Sequence, residues 1–262
     1  MNRSTPDRLV FITGASSGIG QALAARFASA GFRLALVARR GEEVGRWAEA
    51  QGVDRGRCAV YAADVRDVDA IDAAGRACIA AQGLPNVVIA NAGISIGMDT
   101  AVRADLEVMR ATFETNVIGV AATFHPFVAA MRERRAGCLV GIASVAGIRG
   151  MPGHGAYCSS KAAVISYCES LRGELREHGV KVVTIAPGYV DTPLTRRNRY
   201  PMPFLIDATE FADRAFTNIA AGASYRVIPW QMGWVARLLR ALPDAAFDRL
   251  LAGRPRKRRQ GE

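Results

Sequence analysis

Tyr157 and Lys161 stand four residues apart, and this pair carries the clearest chemistry in the chain. The segment around them, 156–178, is alanine-rich and helix-permissive, so both side chains share one helical face. A free phenol titrates near pKa ~10, too high to exchange protons readily at neutral pH. A neighbouring ammonium favours the phenolate and moves the phenol toward the range of a working general acid or base. Ser144 lies just past the apolar run 138–143, at the C-terminal end of an expected strand. Taken singly, each residue has an ordinary alternative: Tyr157 as a core aromatic, Ser144 as a turn former, Asn116 as a buried amide pairing with backbone.

A second chemical feature is Thr13-Gly14-Ala15-Ser16-Ser17-Gly18-Ile19-Gly20, which follows the apolar run 9–12 and leads into a helical segment. Its glycines allow a tight turn and close backbone approach to a pyrophosphate, which the free amides and positive end of the following helix would hold. A glycine string alone is weak evidence; its place on a first strand-to-helix turn gives it weight.

The elements that must position these groups alternate along the chain. Short apolar runs at 9–12, 33–37, 58–62, 87–90, 138–143 and 180–185 are separated by helix-permissive stretches at 18–30, 42–51, 68–82, 106–133 and 156–178. That alternation predicts βαβ units, a parallel doubly wound sheet and helices on both faces, an α/β Rossmann-type single domain over residues 1–253. Val87-Val88-Ile89-Ala90 has no polar alternation, as expected of a strand buried on both sides.

With the motifs in this order, the chain resembles the short-chain dehydrogenase/reductase family up to about Thr195. The matching strings are TGASSGIG at 13–20, Asp64-Val65, Asn91-Ala92-Gly93, Asn116-Val117-Ile118-Gly119, Ser144, Tyr157-Cys158-Ser159-Ser160-Lys161 and Pro187-Gly188. The resemblance implies a catalytic tetrad. Tyr157 would be the acid in reduction and the base in oxidation, and Lys161 would also hold the nicotinamide ribose. Ser144 would polarise the carbonyl oxygen, and Asn116 would anchor a water that connects the lysine to solvent. It further implies cofactor contacts from Gly14, Ser16, Ser17, Gly18, Ile19 and Gly20, from Asp64 and Val65 beside the adenine, from Asn91, Ala92 and Gly93, and from Pro187, Gly188, Val190 and Thr192.

The second strand ends in Arg39-Arg40, with no acid in residues 34–41. An acid there suits the 2′-hydroxyl of NAD, whereas guanidiniums suit a 2′-phosphate, so the expected cofactor is NADP(H). The expected reaction is hydride transfer between nicotinamide and a carbonyl or secondary alcohol. Met202, Phe204, Leu205 and Phe216 are candidate apolar lining in a lid at about 188–230, which would favour a hydrophobic substrate. His154, in a glycine-rich loop, could contact substrate, but the position carries no family motif and a loop histidine is more often merely solvated. Alternatives are a catalytically silent NADP(H) sensor, set against an intact tetrad, or a ketoacyl-carrier-protein reductase. The latter is disfavoured because Arg226-Val227-Ile228-Pro229-Trp230 stands where that branch has a glycine-rich closing strand.

The five cysteines are scattered, with no CxxC pair and no histidine cluster, so neither a disulfide framework nor a metal site is expected. Free thiols suit a reducing cytoplasm. A strand-like segment begins after only eight residues, too soon for a signal peptide, and no run approaches a membrane span. The net charge of +10 is partly due to Arg254, Arg256, Lys257, Arg258 and Arg259. Residues 254–262 are expected to form a solvated, disordered basic tail, with no nucleic acid as partner. Segment 230–251 is amphipathic, with Trp234, Val235, Leu238, Leu239 and Leu242 on one face. It would cover the pocket or a subunit interface, or with residues up to 259 touch an anionic membrane. The resemblance implies a homodimer or homotetramer, and the helices at 107–131 and around Tyr157 offer the faces that pair family members as dimers.

Overall fold

The computed structural model describes residues 8–196, 198, 200–253, 255–259 and 261. Seven strands form one parallel sheet: β1 (Leu9–Thr13), β2 (Arg33–Ala38), β3 (Cys58–Ala62), β4 (Val87–Ala90), β5 (Gly137–Ile142), β6 (Val180–Pro187) and β7 (Tyr225–Ile228). Their order is β3-β2-β1-β4-β5-β6-β7, so the chain reverses its direction of winding between β1 and β4. Six strands match the apolar runs of the sequence. The seventh, β7, has only four residues and carries an exposed Arg226, too short and too polar to stand out as a buried run.

Alternation along each strand divides the core in two. Leu9, Phe11, Ala35 and Val37 face α3 (Val68–Gln82) and α5 (Gly119–Arg134), where Phe11 meets Phe127 edge-on at 4.8 Å. Val10, Ile12, Leu34 and Leu36 face the other way, toward α1 (Gly18–Ser29) and α7 (Ala208–Ala221). Each fully buried Phe or Leu contributes roughly 1.5–3 kcal/mol relative to exposure, so both faces are strongly specified. The remaining helices are α2 (Gly41–Ala50), α4 (Asp105–Phe113), α6 (Gly155–Leu175), α8 (Trp230–Ala241) and α9 (Asp244–Leu251).

Five expectations change. The segment 106–133 is not one helix: a π-helical turn, Glu114–Ile118, separates α4 from α5 and carries Asn116. Phe216 is not pocket lining. It lies on α7 and packs edge-on against Phe27 at 4.9 Å beneath the sheet, with the Arg26 guanidinium 3.9 Å from its ring centroid. Much of the segment expected as a lid, 188–230, thus belongs to the core layers as α7 and β7.

The apolar face expected on segment 230–251 is also displaced. Helix α8 turns Met232, Gly233 and Ala236 inward against β7 and Gly188, while Trp230, Trp234 and Leu238 stay exposed. Arg149 joins α8 to α9: its guanidinium donates to the carbonyl oxygens of Leu239 and Leu242 and pairs with Asp244 at 2.9 Å. It also stacks on Phe247, 3.8 Å from the ring centroid.

Finally, the described part of the basic tail is docked rather than free, although Pro255, Arg256 and Arg258 stay exposed. Residues 255–259 lie against the loop after β4, where Gly97 pairs with Arg259 as an isolated parallel bridge and its N–H donates to the Arg258 carbonyl oxygen at 2.8 Å. Arg254, Gln260 and Glu262 lie outside the described residues. No described helix is long and apolar enough to cross a membrane.

Candidate active site

Ligands of doubly wound sheets bind beyond the carboxyl ends of the strands, where the winding reverses. Here that point lies between the ends of β1 and β4, and a cleft of about 640 Å³ opens there. Gly14 and Gly18 both adopt left-handed backbone, at φ 70° and 55°, which non-glycine residues adopt only with strain. A Cβ on Gly20 would stand 2.2 Å from the Gly14 carbonyl oxygen, so the turn closes only around glycine. Ser17 occupies the N-cap position of α1 but makes no side-chain capping bond, leaving the first amides and its own hydroxyl toward the cleft. The cradle therefore has the shape, free donors and positive dipole end that a pyrophosphate requires.

Asn91 braces this turn. Its amide donates to the carbonyl oxygens of Thr13 at 3.1 Å and Gly14 at 3.2 Å, while Thr13 Oγ1 accepts from the Asn91 N–H. The residue expected to contact the cofactor thus locks β4 to the end of β1, and it lines the cleft as well. Ala92 and Gly93 continue the same wall, and Pro187, Gly188, Val190 and Thr192 form the opposite one. The Thr192 methyl packs against Gly18, where an added Cβ would lie 3.1 Å away.

Beyond β2, Arg39 and Arg40 line the end of the cleft together with Asp64, Val65 and Arg66. Arg66 was not singled out by the motifs. It grips Asp64 through Nη2 at 2.7 Å and Nε at 3.1 Å, and this pairing holds the Asp64 carboxyl below its usual range. Arg39 reaches Asp64 at 4.0 Å, and Arg40 pairs with Glu43 at 2.8 Å; both arginine side chains are more than half exposed. Exposed pairs of this kind are weak, so the guanidiniums can be redirected by a more highly charged anion. A signal for Arg66 was present: it is the basic residue two positions after Asp64.

At the other end, Ser144, Tyr157 and Lys161 converge. Ser144 sits at the N-cap of a short turn after β5, and its hydroxyl accepts from the Ala146 N–H at 3.1 Å. Helix α6 presents Tyr157 and Lys161 on one face, with Nζ 5.9 Å from the phenol ring centroid. Lys161 Nζ donates to the Ile142 carbonyl oxygen at 2.8 Å. Burial pushes Lys161 down from an ordinary lysine to about 8. Burial pushes Tyr157 up, and a hydrogen bond with Ser144 partly offsets that.

Two of the sequence-singled residues, Gly20 and Asn116, stand behind the cleft wall rather than in it. Asn116 Oδ1 accepts from the Ile94 N–H at 2.8 Å, and its amide donates to the Ile94 carbonyl oxygen and to Ser160 Oγ, both at 3.0 Å. Its side chain thereby clamps the loop after β4 to α6. Every other expected site residue lines the cleft, along with Ile94, Thr115 and Leu194. Of the remaining lining candidates, Phe204 and Leu205 are exposed, and neither they nor Met202 lines the cleft. His154 is the opposite case: expected in solvent, it is buried.

The comparisons with known proteins agree with this geometry. Residues 8–202 match the family model for short chain dehydrogenases. A protein of Myxococcus xanthus named an uncharacterized oxidoreductase is 38% identical over 244 residues, covering 92% of this chain and 95% of its own. The bovine dehydrogenase/reductase SDR family member 7B is 32% identical, over 97% of this chain and 83% of its own. Among solved structures, a short-chain dehydrogenase/reductase from Burkholderia phymatum, in complex with NAD, superposes with a TM-score of 0.80 at 26% identity. That match covers 95% of this chain and 96% of the other. Matched in sequence across most of its length and in fold across nearly all of it, the chain belongs to the short-chain dehydrogenase/reductase family of oxidoreductases.

Proposed function

We propose that this protein is an NADP(H)-dependent reductase that transfers hydride between the nicotinamide and a carbonyl or secondary alcohol carbon of a hydrophobic small molecule. The observation that carries this reading is a single cleft with Ser144, Tyr157 and Lys161 at one end and Arg39, Arg40 and Arg66 at the other. The dinucleotide, when bound, supplies or accepts the hydride. Ser144 donates a hydrogen bond to the substrate oxygen as negative charge builds there. Tyr157 delivers the proton to that oxygen, and the Lys161 ammonium makes the resulting phenolate easier to form. Asn116 keeps the loop after β4 against α6, and so holds the wall that faces Lys161. Leu194, Ile94 and Val190 give the reacting end an apolar border that excludes water and suits a hydrophobic ketone or aldehyde.

Arg39, Arg40 and Arg66 favour the phosphate-bearing dinucleotide. One charge-assisted bond contributes roughly 1.5–3 kcal/mol, so a single net bond to the 2′-phosphate should make NADPH exceed NADH in kcat/KM by about 10–10²-fold. The test is turnover of a panel of ketones and aldehydes by the purified protein with each cofactor. The double variant Arg39→Ser/Arg40→Ser should lose most of the NADPH preference while retaining activity with NADH. Equal use of NADH by the wild-type protein would remove the role given to these arginines.

The protein is proposed to act as a homodimer. Leu106 and Met109 on α4, which packs beside the helix that bears Tyr157, are exposed apolar side chains, as is Ile118 at the end of the π-helical turn. Light scattering should give twice the 28.0 kDa chain mass. Leu106→Glu/Met109→Glu should shift the protein toward the monomer; an unchanged dimer would place the interface elsewhere.

A further inference from the structure

Between the N-terminal end of α6 and the cleft wall at 187–190 stands a cluster that does not itself line the cleft and that the reductase chemistry does not use. His154, at the start of α6 and three residues before Tyr157, is buried. Its Nδ1–H donates to the Pro152 carbonyl oxygen at 3.1 Å, and that tautomer leaves Nε2 to accept from the Tyr200 hydroxyl at 3.4 Å. Tyr200 stacks edge-on to His154, with ring centroids 5.8 Å apart, and lies 6.3 Å from the ring of Tyr189. Burial pushes the Tyr200 phenol up, and Tyr189 stands between Gly188 and Val190, both of which line the cleft.

What holds Tyr200 there comes from the far end of the chain. Asn198, two residues earlier, accepts from Lys257 Nζ at 2.9 Å. The strand-like bridge at Gly97 and the bond from its N–H to Arg258 fix that stretch of tail. Arg259 closes it with a two-pronged pair on Asp105, at 2.7 and 3.3 Å, and the Asp105 side chain is 6% exposed. A two-pronged pair between a half-buried guanidinium and a buried carboxylate is geometrically demanding and less screened than a surface pair. Arg256 completes the contact by packing against Gly153, in the loop that leads to His154. One strap of five residues thus touches the loop after β4, the loop before α6 and the segment that carries Tyr200.

We propose that residues 255–259 are part of the substrate site: they pin Tyr200 against His154, so that Tyr200 and Tyr189 offer an aromatic face beside Tyr157 to a planar, aromatic carbonyl substrate. This rests on the reductase reading only for the identity of the substrate; the strap itself is tested without turnover.

Two full-length variants release the strap by unrelated physics. In Gly97→Ala the new Cβ would stand 2.2 Å from the Lys257 carbonyl oxygen, so the tail must move; in Arg259→Gln the Asp105 pair is lost. Hydrogen exchange of residues 198 and 200–206 should accelerate in both, while Arg259→Lys, which keeps the charge, should restore part of the protection. With NADPH, benzaldehyde should be preferred over cyclohexanecarbaldehyde, its non-planar counterpart. Either release variant should raise KM for benzaldehyde about tenfold, the scale of a lost aromatic contact, with kcat and NADPH affinity little changed. Unchanged exchange in both variants would overturn the strap. Equal turnover of the two aldehydes, or of neither, would overturn the aromatic face. Failure to bind NADPH at all would instead strike the reductase reading.

Discussion

Tyr157→Phe should lower kcat for carbonyl reduction by about 10²–10⁴-fold, the usual contribution of a positioned general acid, and leave NADPH affinity near its wild-type value. The change removes one hydroxyl and keeps the ring, so helix α6 and the packing around it have no reason to shift. Ser144 would then lose its phenol partner but keep the Ala146 amide, and the cleft wall would stand. Rapid-mixing turnover and fluorescence titration of NADPH on the same preparation separate the two effects. A variant with wild-type kcat would show that the proton comes from another group. A variant that also fails to bind cofactor would make Tyr157 a structural residue.

Lys161→Met should separate activity from stability, moving them in opposite directions. Activity should fall by about 10²-fold or more, because an uncharged thioether cannot stabilise the phenolate. The fold, by contrast, should gain stability. Burial lowers Lys161 to about 8 in the folded chain, below its ordinary unfolded value near 10.4. Between those two values the unfolded chain binds more protons, so the wild-type protein becomes more stable as pH rises through that window. Below pH 8 the cost of holding the buried ammonium is fully present, a few kcal/mol before the bond to Ile142 is counted. Methionine fills similar volume without the charge, although it leaves the Ile142 carbonyl oxygen unpaired at roughly 1–3 kcal/mol. The net expectation at pH 7 is a Tm higher by about 2–4 °C, measured by calorimetry without cofactor, with the difference shrinking toward pH 10. A lower Tm would mean that the lysine is compensated in the folded chain and that its contribution is structural.

These two expectations describe a site that trades stability for chemistry. An ammonium kept in a poorly solvated place is a liability to the fold and an advantage to the reaction, because little water competes with its effect on the phenol. The arginines at the other end behave differently. They are exposed and loosely paired with acids, so they cost the fold little and can turn toward an arriving phosphate.

Much of this was legible in the sequence, because it depends on local spacing. Tyr157 and Lys161 share a face because four residues make about one helical turn. Gly14, Gly18 and Gly20 stand where the backbone must bend and approach itself. Runs such as Val87-Val88-Ile89-Ala90 declare strands buried on both sides. What the sequence did not reveal depends on what lies opposite. Which face of α8 turns inward was settled by β7 and Gly188, which accept Met232, Gly233 and Ala236 and leave Trp230 and Trp234 outside. Phe216 entered the core because Phe27 and Phe32 were waiting beneath the sheet. His154 became buried, and the basic tail became a strap, because Tyr200, Asn198, Gly97 and Asp105 come from loops far apart in the chain. Periodicity and turn chemistry act over a few residues and can be read along the chain. Burial and pairing between distant loops are decided only when the fold brings them together.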